Sequence, residues 1–190
     1  MPTAMAAPHS SKAHLRAALL AQRVAYDPAL GEELAERVLA AISLPAGSVV
    51  AGYWPLKGEI DVRPLMLAWA ELGHSLALPE TTAPGQALIF HRWQPGASLL
   101  PGAYRTRHPA PYPVIPDVML VPMLGFDRTG QRLGYGAGYY DRTIAEMPDV
   151  RTIGCAFAAQ RVDSVPAEAH DRRLSAIATE NEVFVVKVTA

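Results

Sequence analysis

Apolar residues recur along this chain with two different periods, and the switch between them predicts a mixed α/β protein. In KAHLRAALLAQRVAY (12–26), Leu15, Leu19 and Leu20 fall on one helical face, with Ser10 or Ser11 as the N-cap. Asp27-Pro28 restarts a helix, the aspartate capping it and the proline taking the first helical position. Leu30, Leu34, Val38 and Ala41 or Ile42 carry that helix to Leu44-Pro45-Ala46-Gly47. SVVAGYW (48–54) is a short apolar run between turn residues and predicts a buried strand. A helix capped by Asp61 and stopped by Gly73 follows, then strands at SLALP (75–79) and ALIFHRW (87–93). Helices set between strands imply a mainly parallel sheet with helices on its faces.

The second half is less regular. Residues 95–116 are rich in Pro and Gly, hold no lasting period and read as a long surface loop. VMLVP (118–122) is apolar at nearly every position, as a central strand would be. A turn at GFDRTG, a glycine-rich stretch and a helix over about 139–147 come next. RTIGCAF (151–157) and VFVVKV (183–188) are the last two strands predicted, with a polar loop between them. No repeat or domain boundary emerges. The expected organisation is a disordered tail over 1–10 and a single domain over 11–190.

Composition narrows the functional classes. Half of the 190 residues are hydrophobic and 18% are charged, which suits one globular domain. Seventeen basic against 18 acidic residues remove the electrostatic argument for a nucleic-acid or membrane-surface binder. Cys155 is the sole cysteine, so neither an internal disulfide nor a cysteine-rich metal site can form. No apolar run approaches the roughly 20 residues of a membrane helix, and MPTAMAAPHS lacks the features of a secretory signal. The expectation is a soluble cytoplasmic protein.

The chemistry concentrates in RLGYGAGYYDR (132–142). Gly134, Gly136 and Gly138 alternate ahead of a predicted helix, which lets the backbone approach a ligand and turn its amides toward an anion. Arg132 and Arg142 add positive charge, and Asp141 offers a carboxylate suited to Mg²⁺. The dinucleotide fingerprint is excluded, because Tyr139 stands where its third glycine belongs. A P-loop is excluded too, since no Gly-Lys-Ser/Thr closes the stretch.

FDRTGQRLGYGAGYYDR (126–142) resembles the signature of the 5-formyltetrahydrofolate cyclo-ligase family. The likeness extends over about 12–187. Lys12-x-x-x-Arg16 is similar to the family's basic N-terminal helix, and YWPLKGEID (53–61) to its segment after the first strand. VPMLGFD (121–127), the Phe157-to-Gln160 stretch, VPAEAHD (165–171) and Ala178-Thr179-Glu180 follow in the family's order. The resemblance implies a three-layer α/β/α sandwich and conversion of 5-formyltetrahydrofolate and ATP to 5,10-methenyltetrahydrofolate, ADP and phosphate. It also implies roles for residues. Lys12 and Arg16 meet the ATP phosphates. Arg132, Leu133, Gly134, Tyr135, Gly136, Ala137, Gly138, Tyr139 and Tyr140 wrap the nucleotide, with Arg132 and Tyr140 as catalytic residues. Asp141 and Asp171 hold Mg²⁺, and Trp54 and Glu59 line the folate pocket.

Two positions depart from the pattern. Ala137 stands where some members place a lysine, and Tyr135 where some place a basic residue. Two alternatives therefore stay open: a related ATP-dependent enzyme acting on another formamide or pterin, and a non-catalytic folate- or nucleotide-binding regulator. His170 adjoins a motif and is assigned no chemistry. Cys155 reads as a small apolar core residue.

Overall fold

The computed structural model describes residues 11–22, 27 and 29–186. Seven strands form the central sheet: β1 (Val49–Ala51), β2 (Ser75–Glu80), β3 (Ile89–Trp93), β6 (Val118–Pro122), β9 (Arg151–Cys155), β10 (Ala176–Ala178) and β11 (Val183–Val185). Their order is β11-β10-β9-β6-β1-β2-β3. Pairing is parallel from β10 through β9, β6 and β1 to β2, and antiparallel at the two edges, β3 and β11. The mainly parallel sheet expected from the sequence is present. β3 runs antiparallel because it returns from β2 without a helix between them, so no crossover reverses the chain.

Helices cover both faces. Leu34 and Val38 of α2 (Leu30–Ala41) and Leu65, Met66 and Trp69 of α3 (Arg63–Glu71) pack with Val50, Leu76, Leu120 and Ile153. On the opposite face, Tyr139 and Ile144 of α4 (Tyr139–Glu146) pack with Ala51, Ala77, Met119, Val121 and Ile177. Leu120 thus faces one layer and its neighbours Met119 and Val121 the other. That two-sided burial is why VMLVP carries no apolar–polar alternation. Leu19 of α1 (Lys12–Ala21) forms a smaller cluster with Leu133 and Val165.

Several elements differ from expectation. Leu20 is largely exposed, because α1 turns its Lys12, Leu15, Arg16 and Leu19 side toward the protein. Helix α2 begins at Leu30 with Ala29 as N-cap, and Asp27 instead binds the Ala29 amide through Oδ1 at 2.9 Å. Likewise Val62 is the N-cap of α3, while Asp61 accepts from the Arg63 amide at 2.9 Å. The polar loop expected between 157 and 183 contains β10, a strand of three buried residues. Ala-Ile-Ala is too short and too small to stand out as a strand, and its pairing with β9 supplies what its sequence does not. The long loop holds a small ladder, β4 (Leu100–Pro101) against β5 (Arg107–His108), around a turn in which Tyr104 and Arg105 adopt φ of 53° and 64°. The expected tail over 1–10 and the end of the predicted last strand, 187–188, lie outside the described residues.

Candidate active site

In an open, mostly parallel sheet, ligands bind beyond the carboxyl ends of the strands, where the strand order reverses. Here that place lies between β1 and β6, because the chain moves outward to β2 on one side and later returns to β6 on the other. A cavity of about 590 Å³ opens there, lined by Tyr53 and Trp54 after β1, Pro79 of β2 and Pro122 at the end of β6. Every site residue expected from the sequence lines it: Lys12, Arg16, Trp54, Glu59, the whole run from Arg132 to Asp141, and Asp171.

The glycine stretch is delivered to the cavity by a two-stranded ladder, β7 (Gly125–Phe126) against β8 (Arg132–Leu133). Asp127 holds the turn between them, accepting from the Thr129 amide at 2.8 Å and from the Val165 amide at 2.8 Å. Two guanidinium groups then fix the stretch. Arg16 Nε donates to the Gly134 carbonyl at 2.9 Å, and Arg142 Nη2 to the Ala137 carbonyl at 2.7 Å. Gly138 is the N-cap of α4 with φ of 71°, a left-handed conformation that glycine adopts without a Cβ penalty. The start of α4 therefore lines the cavity, and a helix N-terminus favours an anion.

Charged pairs surround this stretch. Arg132 is buried and donates through Nη2 to Asp141 Oδ1 at 2.7 Å. Burial pushes its guanidinium below the ordinary value, and the Asp141 charge works against that shift. Asp141 Oδ1 also accepts from the Arg172 amide at 3.1 Å. On α1, Lys12 and Arg16 share a face; Lys12 Nζ lies 2.6 Å from Asp171 Oδ2 and 3.2 Å from Glu168 Oε2. Burial raises the Asp171 carboxyl, but the Lys12 hydrogen bond and the Glu168 amide outweigh it and hold it below the usual range. Tyr140 shows the opposite case. Burial, then the nearby Glu59 charge, push its phenol well up, so it stays protonated.

Trp54 stands at the far wall, edge-on to Trp93 at 6.1 Å, with Arg63 Cζ 5.0 Å from its ring centre. Glu59 accepts from the Leu56 amide at 2.8 Å and from the Tyr135 hydroxyl at 2.6 Å.

The geometry can be set beside known proteins. The 5-formyltetrahydrofolate cyclo-ligase family model matches residues 8–180. A cyclo-ligase of that name from Mycolicibacterium smegmatis is 34% identical over 190 residues, covering 92% of this chain and 96% of that one. The Escherichia coli K12 protein of the same name is 30% identical over 165 residues, covering 82% and 90%. The chain belongs to the 5-formyltetrahydrofolate cyclo-ligase family. The NMR structure of Aquifex aeolicus 5,10-methenyltetrahydrofolate synthetase superposes with a TM-score of 0.78 at 28% identity, over 94% of each chain. The three-layer α/β/α fold is therefore that of the cyclo-ligases, and the chain is a ligase. ATP is the co-substrate that membership in this family implies.

The cavity also gathers residues that the sequence reading passed over. Tyr104, Thr106 and Arg107 reach it from the β4–β5 ladder, inside the stretch read as a plain surface loop. Tyr53 and Glu168 line it as well. A tyrosine and an arginine amid Pro and Gly were the available signal, but their destination depends on how that loop folds back. Glu168, His170 and Asp171 offer ligand atoms within 4.8 Å of one another; Asp141 is not among that group. No helix among the described residues is long and apolar enough to cross a membrane.

Proposed function

We propose that the protein converts 5-formyltetrahydrofolate to 5,10-methenyltetrahydrofolate in an ATP- and Mg²⁺-dependent reaction that releases ADP and phosphate. The observation that carries this reading is one cavity bounded by the Arg-clamped glycine stretch on one side and by Trp54 and Glu59 on the other. The two sets of residues offer separate contacts for a nucleotide and for a folate. Lys12, Arg16 and the backbone of 134–138 take the phosphates, and Trp54 and Glu59 take the folate ring, Glu59 accepting from ring N–H groups.

A formamide is a poor electrophile whose oxygen is a very poor leaving group. Transfer of the γ-phosphoryl group to the formyl oxygen gives an imidate-like phosphate and ADP. N10 of the same folate attacks the formyl carbon, loses its proton, and phosphate departs as the ring closes. Such a transfer depends on positioning and on charge neutralisation. Arg132, kept in place by Asp141, supplies a buried positive charge beside the transferred group, and Tyr140 a neutral hydroxyl donor.

The donor set suits Mg²⁺, which takes hard oxygen ligands and retains several waters. Asp141 binds Arg132 and the Arg172 amide through Oδ1, and among the described residues its Oδ2 carries no hydrogen bond. Asp171 engages Lys12 and the Glu168 amide through Oδ2, while among the described residues its Oδ1 carries no hydrogen bond and lies 3.9 Å from His170 Nε2. Asp141 and Asp171 would hold the cation, which supplies charge neutralisation of the polyphosphate. A cytoplasmic setting fits a chain whose sole cysteine is a buried thiol.

The test is purified protein with 5-formyltetrahydrofolate, ATP and Mg²⁺, followed by methenyl absorbance. Product that requires both ATP and Mg²⁺ is expected; no product at high enzyme concentration would refute the assignment.

A further inference from the structure

Tyr135 occupies an unusual position. It is 44% exposed, so core packing does not fix it. Its backbone is anchored on one side by the Arg16 bond to the Gly134 carbonyl. Its hydroxyl reaches across the cavity to Glu59 Oε1 at 2.6 Å, joining residues 76 apart in sequence. A bond this short to a carboxylate is charge-assisted and directional. The other oxygen, Oε2, is held by the Leu56 amide at 2.8 Å. Glu59 is thus gripped from both sides, by the segment after β1 and by the glycine stretch.

We propose that Tyr135 is a positioning residue for the folate: its hydroxyl fixes the orientation of the Glu59 carboxylate. The proposal rests on Glu59 being a folate contact. A carboxylate has about four acceptor positions, and ligand N–H groups meet it in the orientation that the Leu56 amide and the Tyr135 hydroxyl set. Held in one orientation, it loses little side-chain freedom when the ring arrives. A basic side chain at 135 would pair with Glu59 through charge and offset its negative potential. The neutral phenol holds the carboxylate without bringing a charge of its own.

The experiment is a steady-state cycle on the wild type, Tyr135→Phe, Glu59→Gln and the double variant, with thermal unfolding of each. Phenylalanine keeps the ring and removes only the hydroxyl. Tyr135→Phe should raise the folate KM by about tenfold, more than it changes the ATP KM, with the unfolding midpoint held. In the Glu59→Gln background the same change should have less than about a twofold effect, because the bond it removes has already lost its charged acceptor. An unchanged folate KM in Tyr135→Phe, effects that multiply independently, or an equal rise in ATP KM would overturn the positioning role. A normal folate KM in Glu59→Gln alone would instead remove the folate assignment of Glu59, and the proposal with it.

Discussion

Arg132 and Asp141 bracket the glycine stretch and close it with a 2.7 Å ion pair, the arginine side chain 5% exposed and the aspartate 23%. Removing one partner of such a pair strands a buried charge, which costs more than the pair contributes. Asp141→Asn keeps a carbonyl oxygen to accept from Arg132 but loses the charge. The fold should survive with a loss of about 1–3 kcal/mol in unfolding free energy. Turnover should fall at least tenfold, about 1.4 kcal/mol at the transition state. A Mg²⁺ titration at fixed ATP should shift to higher concentration. A wild-type titration curve would assign Asp141 to holding Arg132 and nothing more.

Lys12 carries a second expectation. Its ammonium holds Asp171 at 2.6 Å and lines the cavity. Lys12→Ala should weaken ATP by about 1–3 kcal/mol and folate much less. The same variant should change the acid side of the stability profile. The Lys12 hydrogen bond holds Asp171 below the ordinary aspartate value of about 3.9, so its contribution is present above about pH 4 and is lost as pH falls through the lower folded value. The stability difference between wild type and Lys12→Ala should therefore shrink on acidification below about pH 4. Urea unfolding at pH 7 and pH 3 measures it, and a constant difference would contradict the pairing.

Gly138 can be tested through its backbone. With φ of 71°, alanine there would meet left-handed strain and place its Cβ 2.7 Å from Arg142 Nη1. That guanidinium is already engaged with the Ala137 and Gln86 carbonyls. Gly138→Ala should cost about 1–2 kcal/mol in stability and raise the ATP KM, because the start of α4 shifts with it. Denaturant unfolding and ATP kinetics check both. Full stability would mean that this cap is easily remodelled.

Cys155 is 2% exposed, and burial pushes its thiol well above the ordinary range. It should therefore be inert to a thiol-specific reagent in the native protein and react fully once denatured. Rapid native labelling would show that β9 opens locally.

The sequence by itself determined the alternation of helices and strands, the two-sided burial of VMLVP, and the composition of the glycine stretch. Each is a local property: period, run length, or the conformational freedom of glycine before a helix. Site identities were legible for the same reason, because phosphate chemistry needs its cations, glycines and carboxylates close together along 132–142. Only the tertiary structure decided their pairings. Lys12 meets Asp171 across 159 residues and Tyr135 meets Glu59 across 76, distances at which no period reports. β10 exists because β9 and β11 flank it, not because Ala-Ile-Ala favours a strand. Tyr104 and Arg107 reach the cavity because the β4–β5 ladder folds back over β2, where the Thr81 and Thr106 hydroxyls lie 3.2 Å apart. Such contacts follow from strand order and from which end of the sheet a loop leaves, and those are properties of the whole chain once it is packed.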